Sequence, residues 1–405
     1  MHIAFATIEF VTERVADGGL ANYLAKASRI FADHGHKVTI IVLSEGNDTF
    51  EYCPNVTVVR VLRDESELAV PLSLVKNMEI KRNIAYCWHS YLIRRTIKKI
   101  DRKSKVDIVQ YCDLNALGLF RIKKIPSVVR MSSFSPIDRE THKSVFDLKN
   151  ARIELSDRIS FAALNRADAV FAPSALTAVV LKKFIKKEVS VLETPTMAVD
   201  FNRLSCLPDI LNGKKYLLFF GTLNNKKGLK VIVQSVYEIL KRNTCHYFVL
   251  IGKDCGVSMC EGMRTPVIKK IKEEAGEYQD RIIYFPSIAD RDLLNTIIYH
   301  AEVCILPFRF ENLPNTCVEA LELGRIVIST FKSGVSQLIK DKYNGFLVEQ
   351  DNPKALVDKI QEVLALPEKE KKRISDHAVK RTKKMNPENF YKYMIEYYQR
   401  IIDYR

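Results

Sequence analysis

Residues 2–43 read HIAFATIEFVTERVADGGLANYLAKASRIFADHGHKVTIIVL, and this stretch decides the fold class. HIAFAT and KVTIIVL are short, almost continuous apolar runs, which are typical of strands buried on both faces. Between them, apolar residues at 20, 23, 24, 27, 30 and 31 have the spacing of one helix face, and Gly35 follows as a stop signal. The order strand, glycine-containing loop, helix, strand predicts a βαβ unit and a parallel sheet.

The same alternation of strands and helices continues along the chain. The apolar runs VTVVRVL, VDIVQY, PSVVRM and DAVFA come first, and YLLFFGTL, HYFVLIG, RIIYF, EVCILPF, RIVIST and GFLVE follow after residue 200. Segment 194–215 separates the two sets because it has two prolines and no strong periodicity. We predict two doubly wound, Rossmann-like α/β domains facing a central cleft, at 1–200 and 201–385, and a C-terminal helix at 386–405 that returns to the first domain.

Composition indicates a basic protein. Lys plus Arg is 63 and Asp plus Glu is 48, so the net charge is +15, and such a surface attracts nucleic acid, acidic lipid or phosphorylated ligands. The nine cysteines have no metal-ligand spacing, which favours reduced thiols and a cytosolic setting. MHIAFATIEF lacks the basic start of a signal peptide, and no apolar run approaches about 20 residues. We expect a cytoplasmic protein.

Residues 310–324, FENLPNTCVEALELG, predict an anion site at a helix start. A buried strand precedes them, Pro314 suits a first helical turn with Asn312 or Leu313 as the cap, and the helix extends to Leu323. Free amide groups at its start favour an anion. Glu311 and Glu319 lie on either side, where carboxylates can accept hydrogen bonds from sugar and ribose hydroxyls. This layout fits a nucleotide sugar.

Two glycine loops between a strand and a helix are weaker candidates. DGG at 17–19 lets the backbone approach a phosphate, although a flexible turn explains it equally well. GTLNNKKG at 221–228 places Lys226 and Lys227 where cations can meet a diphosphate, but surface lysines in a solvated loop are the commoner case.

Together, these motifs resemble the retaining family-4 glycosyltransferases of GT-B fold, of the bacterial surface-polysaccharide type. Their E-x7-E motif corresponds to Glu311 and Glu319, and GRIVIST, SGVSQLI and NGFLV follow as they do in that family. GGLANYLAKASRIFADHGHKVTI resembles the family's first loop and helix, and GTLNNKKG resembles its donor-phosphate loop. The likeness extends over nearly the whole chain and is most specific in its C-terminal half.

The resemblance implies roles for individual residues. Glu311 and Lys227 would be catalytic, with Glu311 near the transferred sugar and Lys227 neutralising the diphosphate. Glu319 would hold the ribose. Other donor contacts would come from the mobile loop, the phosphate loop and the start of the helix, at Gly18, Gly19, Thr222, Lys226, Arg309, Asn312, Leu313, Pro314, Asn315 and Thr316.

Three positions depart from the family pattern. Thr222 stands where the family often has an arginine, so that Lys226 or Arg309 would have to supply the missing charge. Cys112 and Asp113 stand where a histidine near the sugar is common, and Gln337 replaces a glutamate of the glycine loop. We expect the reaction class to remain the same.

The resemblance also implies a mechanism without a protein nucleophile. The leaving diphosphate would accept the acceptor's proton on the same face of the sugar, and the protein would stabilise the charge on the diphosphate. We expect no metal and no other cofactor. Asp290 and Asp292 form a DxD sequence, but we interpret Asp290 as a helix N-cap and Asp292 as an acid of the first turn.

The first domain has features that suit a membrane-linked acceptor. Ten of residues 76–105 are Lys or Arg, with Trp88 and two tyrosines among them, which favours an anionic membrane surface over a solvated helix or part of the cleft wall. Candidate acceptor contacts follow the strands at Cys112, Asp113, Arg130, Ser132 and Ser133. We therefore expect a glycan or lipid-linked acceptor and a peripheral location at the inner face of the membrane.

Two other functions explain parts of the sequence. A GT-B-shaped sugar-nucleotide epimerase would hold the same donor, but it needs acid and base groups that the eight histidines do not supply at recognisable positions. A nucleic-acid-binding protein would explain the charge, but no such module is recognisable and Glu311 and Glu319 would remain unexplained. We expect UDP-sugar transfer and no nucleic-acid partner.

Overall fold

The computed structural model describes residues 1–14, 18–64, 66, 72–146, 151–197, 199–260 and 263–404. The chain divides into two compact units. The first comprises Met1–Pro136, Arg152–Met197 and Met385–Arg405, and the second comprises Ile137–Ala151 and Ala198–Lys384. The chain passes from one unit to the other near residues 197 and 384, close to the predicted domain boundaries. Ile137–Ala151 belongs to the second unit, although the sequence placed it in the first domain.

The first unit contains an eight-stranded sheet in the order β3-β4-β2-β1-β5-β6-β7-β8. Its strands are parallel except for the edge strand β3, which is antiparallel to β4. β1 is buried along its whole length between β2 and β5, which explains its continuous apolar sequence. The strands are β1 His2–Thr7, β2 Lys37–Ser44, β3 Thr49–Cys53, β4 Val56–Leu62, β5 Ile108–Cys112, β6 Ser127–Arg130, β7 Ala169–Ala172 and β8 Val189–Val191.

The helices of the first unit follow the predicted periodicity. Leu20, Tyr23 and Leu24 are buried on the inner face of α1, and Gly35 beyond its end has a φ of +79°. The helices are α1 Gly19–Asp33, α2 Met78–Lys103, α3 Ser135–Thr141, whose last residues belong to the second unit, α4 Leu155–Arg166, α5 Ala175–Leu181 and α12 Pro387–Asp403.

The C-terminal helix α12 packs on α1 and contacts strand β5 of the first unit. Phe390 and Tyr398 of α12 lie against the ring of Phe31. The Tyr398 hydroxyl donates to the amide oxygen of Gln110 on β5 over 2.6 Å. This buried polar contact fixes the helix on the sheet.

The second unit contains a six-stranded sheet in the order β13-β10-β9-β14-β15-β16. All its strand pairs are parallel, so all its strands end at one edge. The strands are β9 Lys215–Phe220, β10 His246–Ile251, β13 Ile282–Phe285, β14 Val303–Ile305, β15 Ile326–Thr330 and β16 Phe346–Val348, and a separate hairpin is formed by β11 Val257–Cys260 and β12 Met263–Thr265.

The helices of the second unit are α6 Leu229–Arg242, α7 Val267–Ala275, α8 Arg291–His300, α9 Asn315–Glu322, α10 Pro353–Leu364 and α11 Glu368–Thr382. The loops after β9, β13, β14 and β15 leave the same edge of the sheet, where α/β folds bind their ligands. The predicted α/β class and two Rossmann-like sheets are confirmed. Strands β3 and β8 and the hairpin β11–β12 were not predicted.

Candidate active site

The centre of the candidate site is an ion pair in the second unit. The Nζ atom of Lys227 lies 2.9 Å from the Oε1 atom of Glu311, and the two side chains are 21% and 12% exposed. Burial raises the pKa of Glu311, but the ammonium groups of Lys227 and Lys226 lower it, and the balance leaves the pKa below its ordinary value. Glu311 is therefore ionised at neutral pH.

The loop after β15 fixes the backbone of Glu311. The amide of Gly334 donates to the Glu311 carbonyl over 2.8 Å, and the amide of Glu311 donates to the Ser333 hydroxyl over 3.2 Å. A Cβ atom at Gly334 would lie 1.4 Å from the carbonyl oxygen of Asn312. Only glycine permits this approach, which explains the SGV sequence.

Helix α9 begins at Asn315, and Pro314 is its N-cap. The prediction of a cap at Asn312 or Leu313 was wrong. Residue 313 precedes a proline, which disfavours the helical conformation there, and Pro314 itself is extended with ψ of 123°. Pro314 has no amide hydrogen to offer a ligand. At the helix start, the buried hydroxyl of Thr316 has no hydrogen-bond partner among the described residues.

Glu319 lies on α9 with its side chain 13% exposed, and its carboxylate is paired with Arg291 at 2.5 Å. Arg291 is the first residue of α8, and Asp290 caps that helix by accepting from the amides of Asp292 and Leu293. Asp292 is paired with Arg203 at 2.9 Å. The structural interpretation of the DxD sequence is confirmed, and its middle residue contacts the predicted ribose-binding carboxylate.

The two candidates for the missing second cation differ in their contacts. Arg309 is 1% exposed and all three nitrogens of its guanidinium make hydrogen bonds: Nε donates to Asp351, and the other two donate to the carbonyls of Thr141, Lys143 and Ser144. The Lys226 ammonium lies 2.6 Å from an Asp138 carboxylate oxygen. Sequence reasoning assigned Arg309 to the diphosphate, but its contacts assign it to segment 141–144.

The backbone of loop 221–228 holds Lys227 in place. Its amide donates to the side-chain oxygen of Asn224 over 3.0 Å, and the carbonyl of Lys226 accepts from the Arg309 amide over 3.0 Å. Gly228 has a φ of +82°, and a Cβ atom there would lie 1.9 Å from the Pro307 carbonyl. Thr222 lies in this loop and supplies no charge. Asn224 was missed because an asparagine in a loop carries no specific signal.

In the first unit, the glycine loop lies at the start of α1. Gly18 is the N-cap and Gly19 the first helical residue. A Cβ atom at Gly18 would lie 2.3 Å from a carboxylate oxygen of Glu9. A carboxylate thus lies close to the helix start at which a phosphate was predicted.

The candidate acceptor residues of the first unit form one cluster. Asp113 accepts from the amides of Ser132 and Ser133 over 2.8 and 3.3 Å. Arg130 donates to the Ser132 hydroxyl over 2.7 Å and lies over the Tyr23 ring at 3.8 Å. Burial raises the pKa of Asp113 to about 6, against the effect of the two amides. Burial also raises the pKa of Cys112 to about 12, so its thiol is neutral.

The sequence matches two protein-family models in succession. Residues 17–195 match "Glycosyltransferase Family 4", and residues 208–381 match "Glycosyl transferases group 1". The chain is a glycosyltransferase of the GT-B fold. The two matched regions correspond to the two units with their Rossmann-like sheets.

Individual relatives of this glycosyltransferase are distant. It is 21% identical over 383 residues to the uncharacterized glycosyltransferase MJ1607 of Methanocaldococcus jannaschii, covering 90% of this chain and 89% of that one. Further curated proteins, most of them named as glycosyltransferases, are matched over 34% to 58% of their length.

Two solved structures show the same fold. The sucrose-phosphate synthase of Thermosynechococcus elongatus superimposes with a TM-score of 0.75 at 18% identity, over 99% of this chain and 100% of that one. HepE of Anabaena in complex with UDP and glucose gives a TM-score of 0.69 at 14% identity, over 98% of each chain.

The glycosyltransferase has a basic, aromatic stripe on the exposed side of α2. Trp88 stacks on Tyr91 with ring centroids 5.3 Å apart, and its indole donates to the carbonyl of Asp64. Tyr91, Arg95, Lys98 and Arg102 follow at helical spacing and are exposed. We call Trp88, Tyr91, Arg95, Lys98, Lys99 and Arg102 the α2 stripe.

No described helix combines the length and the apolar character needed to cross a membrane. No group of three or more His, Cys, Asp or Glu side chains in the described ranges could hold a metal ion.

Gln337 ends the loop that contacts Glu311, and its carbonyl accepts from Arg381 over 3.4 Å.

Proposed function

We propose that this glycosyltransferase moves a sugar from a nucleotide-diphosphate donor, with UDP as the nucleotide, to a saccharide acceptor with retention of configuration. The Glu311–Lys227 pair carries the proposal. It combines a buried carboxylate, suited to sugar hydroxyls, with a cation next to the start of α9, where free amides favour a diphosphate. The UDP and glucose in the structure of HepE, which has the same fold, support this class of donor.

The residues of the second unit suggest how the reaction proceeds. As the bond between the sugar C1 and the diphosphate oxygen breaks, negative charge develops on that oxygen. Lys227 and the amides at the start of α9 stabilise this charge. The acceptor hydroxyl attacks C1 from the side that the diphosphate leaves, and its proton passes to a diphosphate oxygen. Glu311 holds sugar hydroxyls and keeps the Lys227 ammonium in position. Metal ions are not needed if these cations suffice.

The first unit supports an acceptor that carries hydroxyl groups. Asp113 lies after β5 with its pKa near neutrality, and the hydroxyls of Ser132 and Ser133 lie beside it after β6. Above pH 6 its carboxylate can accept a hydrogen bond from a hydroxyl of the acceptor. Arg130 is 4% exposed and orients Ser132, so we assign it to positioning this cluster.

The α2 stripe supports a membrane-linked acceptor and a role in polysaccharide or glycoconjugate synthesis. Exposed cations next to a stacked tryptophan and tyrosine are the combination that binds anionic headgroups. We propose a cytoplasmic protein, peripheral at the inner face of the membrane.

The test is incubation of the purified protein with UDP-, GDP- and ADP-sugars, with and without lipid-diphosphate saccharide extracts. Nucleotide release that the acceptor accelerates, with a product anomer like that of the donor by NMR, is the expected result. Conversion of a donor into its epimer without nucleotide release would contradict transfer. A product with the opposite anomeric configuration to the donor would contradict retention but not sugar transfer. Tight, salt-dependent binding of RNA or DNA without sugar transfer would replace the proposal by the nucleic-acid function.

A further inference from the structure

We propose that Asp138 sets the affinity for the donor: its carboxylate is an internal anion that occupies Lys226 and that the donor diphosphate displaces. This inference rests on the proposed function because it needs a diphosphate in the second unit. It identifies Lys226 as the second diphosphate cation, in place of the arginine that Thr222 lacks.

The first observation is the anchoring of the segment that carries Asp138. Segment 137–144 belongs to the second unit, and residues of both predicted donor loops hold its backbone. Arg309 donates to three of its carbonyls, Asn225 donates to the carbonyls of His142 and Lys143 over 3.2 Å, and Lys230 donates to the Ser144 carbonyl over 2.8 Å. The segment is therefore fixed beside the loop that contains Lys226 and Lys227.

These anchors differ in kind from the contact of Asp138. Arg309 and Asn225 are each 1% exposed and bind backbone carbonyls, so they can hold the segment without Asp138. The Lys226–Asp138 pair joins two side chains that are 23% and 21% exposed. Both side chains are partly exposed, so water and small anions can reach the pair. The pair can therefore open while the segment stays in place.

The second observation concerns the reach of Lys226. Its charge lowers the pKa of Glu311, so its ammonium lies within electrostatic range of the carboxylate that pairs with Lys227. The Arg309 guanidinium is buried and all three of its nitrogens already donate to Asp351 or to backbone carbonyls, and Thr222 is uncharged. Lys226 is the candidate that remains for the second cation of this loop.

Charge explains the direction of the exchange. A diphosphate carries more negative charge and more acceptor oxygens than one carboxylate, so a flexible ammonium can leave Asp138 for the donor. Each donor that binds must break the Lys226–Asp138 pair. Removal of the carboxylate should therefore tighten binding, whereas a residue that only stabilises the segment would weaken binding or leave it unchanged when replaced.

The experiment is calorimetric titration with UDP, GDP and ADP of the full chain and of Asp138→Asn, Lys226→Met and the double variant. We expect Asp138→Asn to lower the Kd of the preferred nucleotide about 3- to 10-fold, as expected for removal of a competing exposed ion pair. Lys226→Met should raise the Kd, and Asp138→Asn should have no further effect in the Lys226→Met background. Asp358→Asn removes the same charge from the exposed pairs of α10 and is the matched control.

Each outcome supports or overturns a defined statement. An unchanged or weaker affinity of a folded Asp138→Asn protein, or a gain that persists without Lys226, overturns this inference and leaves the donor site intact. The same gain in Asp358→Asn would reduce the effect to net charge and also overturn it. Failure of the unmodified protein to bind any of the three nucleotides would instead refute the proposed function.

Discussion

The carboxylate of Glu311 and the ammonium of Lys227 lie 2.9 Å apart, and 84 positions separate them in the sequence (311 − 227 = 84). One follows β14 and the other follows β9, which are adjacent in the sheet of the second unit. The pair is mostly buried, so removal of one partner leaves an uncompensated charge. Substitutions of the two residues, alone and together, can therefore separate the effect of an unpaired charge on stability from the effect of Lys227 on turnover.

The first prediction concerns Lys227→Met. We expect the turnover of donor to fall about 100- to 1,000-fold, the typical loss when one group that stabilises a developing oxyanion is removed. The free energy of unfolding should fall by about 1–3 kcal/mol because Glu311 loses its partner. Single-turnover assays and urea unfolding measure the two effects.

The control for this prediction is the double variant Lys227→Met with Glu311→Gln. A neutral amide needs no counter-charge, so stability should recover while turnover stays low. Turnover of Lys227→Met close to that of the unmodified protein would exclude Lys227 from catalysis.

The second prediction concerns Arg309→Lys. A lysine cannot reproduce the donors that bind Asp351 and the carbonyls of segment 141–144, so we expect a loss of about 2–4 kcal/mol in the free energy of unfolding. Hydrogen exchange of amides 138–144 should also accelerate. Arg373→Lys, at an exposed helix position, is the control and should change neither. An unaffected stability of Arg309→Lys would contradict the structural role.

The third prediction concerns the Glu319–Arg291 pair. We expect Glu319→Ala to weaken nucleoside diphosphate binding about 10-fold or more, because charge-assisted hydrogen bonds to the ribose are lost. The preference for UDP over its 2′-deoxy analogue should disappear as well. Arg291→Gln should have less than about a fivefold effect, since Arg291 is half exposed.

The ratio of the Kd for the 2′-deoxy analogue to the Kd for UDP, measured by calorimetry, separates a loss of ribose recognition from a general loss of binding. Asp292→Asn, which breaks the pair with Arg203, is the control and should leave the ratio unchanged. A Glu319→Ala protein that still discriminates against the deoxynucleotide would refute the ribose role.

The fourth prediction concerns the pH dependence that Asp113 introduces. Its pKa is about 6 in the folded protein and near its ordinary value of 3.8 when unfolded, so folding favours its protonated form. The contribution of Asp113 to stability is therefore present at low pH and is lost as pH rises from about 4 through 6. Urea midpoints of the unmodified protein and of Asp113→Asn, compared between pH 4 and 7.5, should show this difference.

Activity should show the opposite trend, because the ionised carboxylate accepts a stronger hydrogen bond from the acceptor hydroxyl than the protonated acid does. We expect the kcat/KM of the unmodified protein to rise as the pH increases through about 6. The kcat/KM of Asp113→Asn should not show this rise. Identical profiles of the two proteins would remove Asp113 from acceptor binding.

The fifth prediction concerns the α2 stripe. Replacement of Arg95, Lys98, Lys99 and Arg102 by glutamine should weaken binding to phosphatidylserine vesicles by about two to three orders of magnitude, at about 1 kcal/mol for each cation near the surface. Replacement of four lysines of α11, at 369, 371, 372 and 380, removes the same charge from the second unit. Equal losses in both variants would indicate nonspecific charge attraction, and no loss in either would refute membrane binding.

The sequence alone determined the secondary structure and the fold class. Periods of 3.6 and buried apolar runs are local properties, so the βαβ order, the first helix and the cap at Asp290 could be read without tertiary information. The start of α9 was misplaced by one or two residues because a proline fits both the cap and the first turn. The edge strand β3 and the hairpin β11–β12 are short and only partly buried, so they lack the continuous apolar pattern.

Only the tertiary structure decided which charges meet. Lys226, Lys227, Arg291 and Arg309 are all cations near one sheet edge, and the sequence could not rank them. The fold pairs Lys227 with Glu311, Arg291 with Glu319, Lys226 with Asp138, and Arg309 with Asp351 and backbone carbonyls. Ionic contacts depend on distances of a few ångströms between loops far apart in the chain, and local sequence carries no measure of those distances.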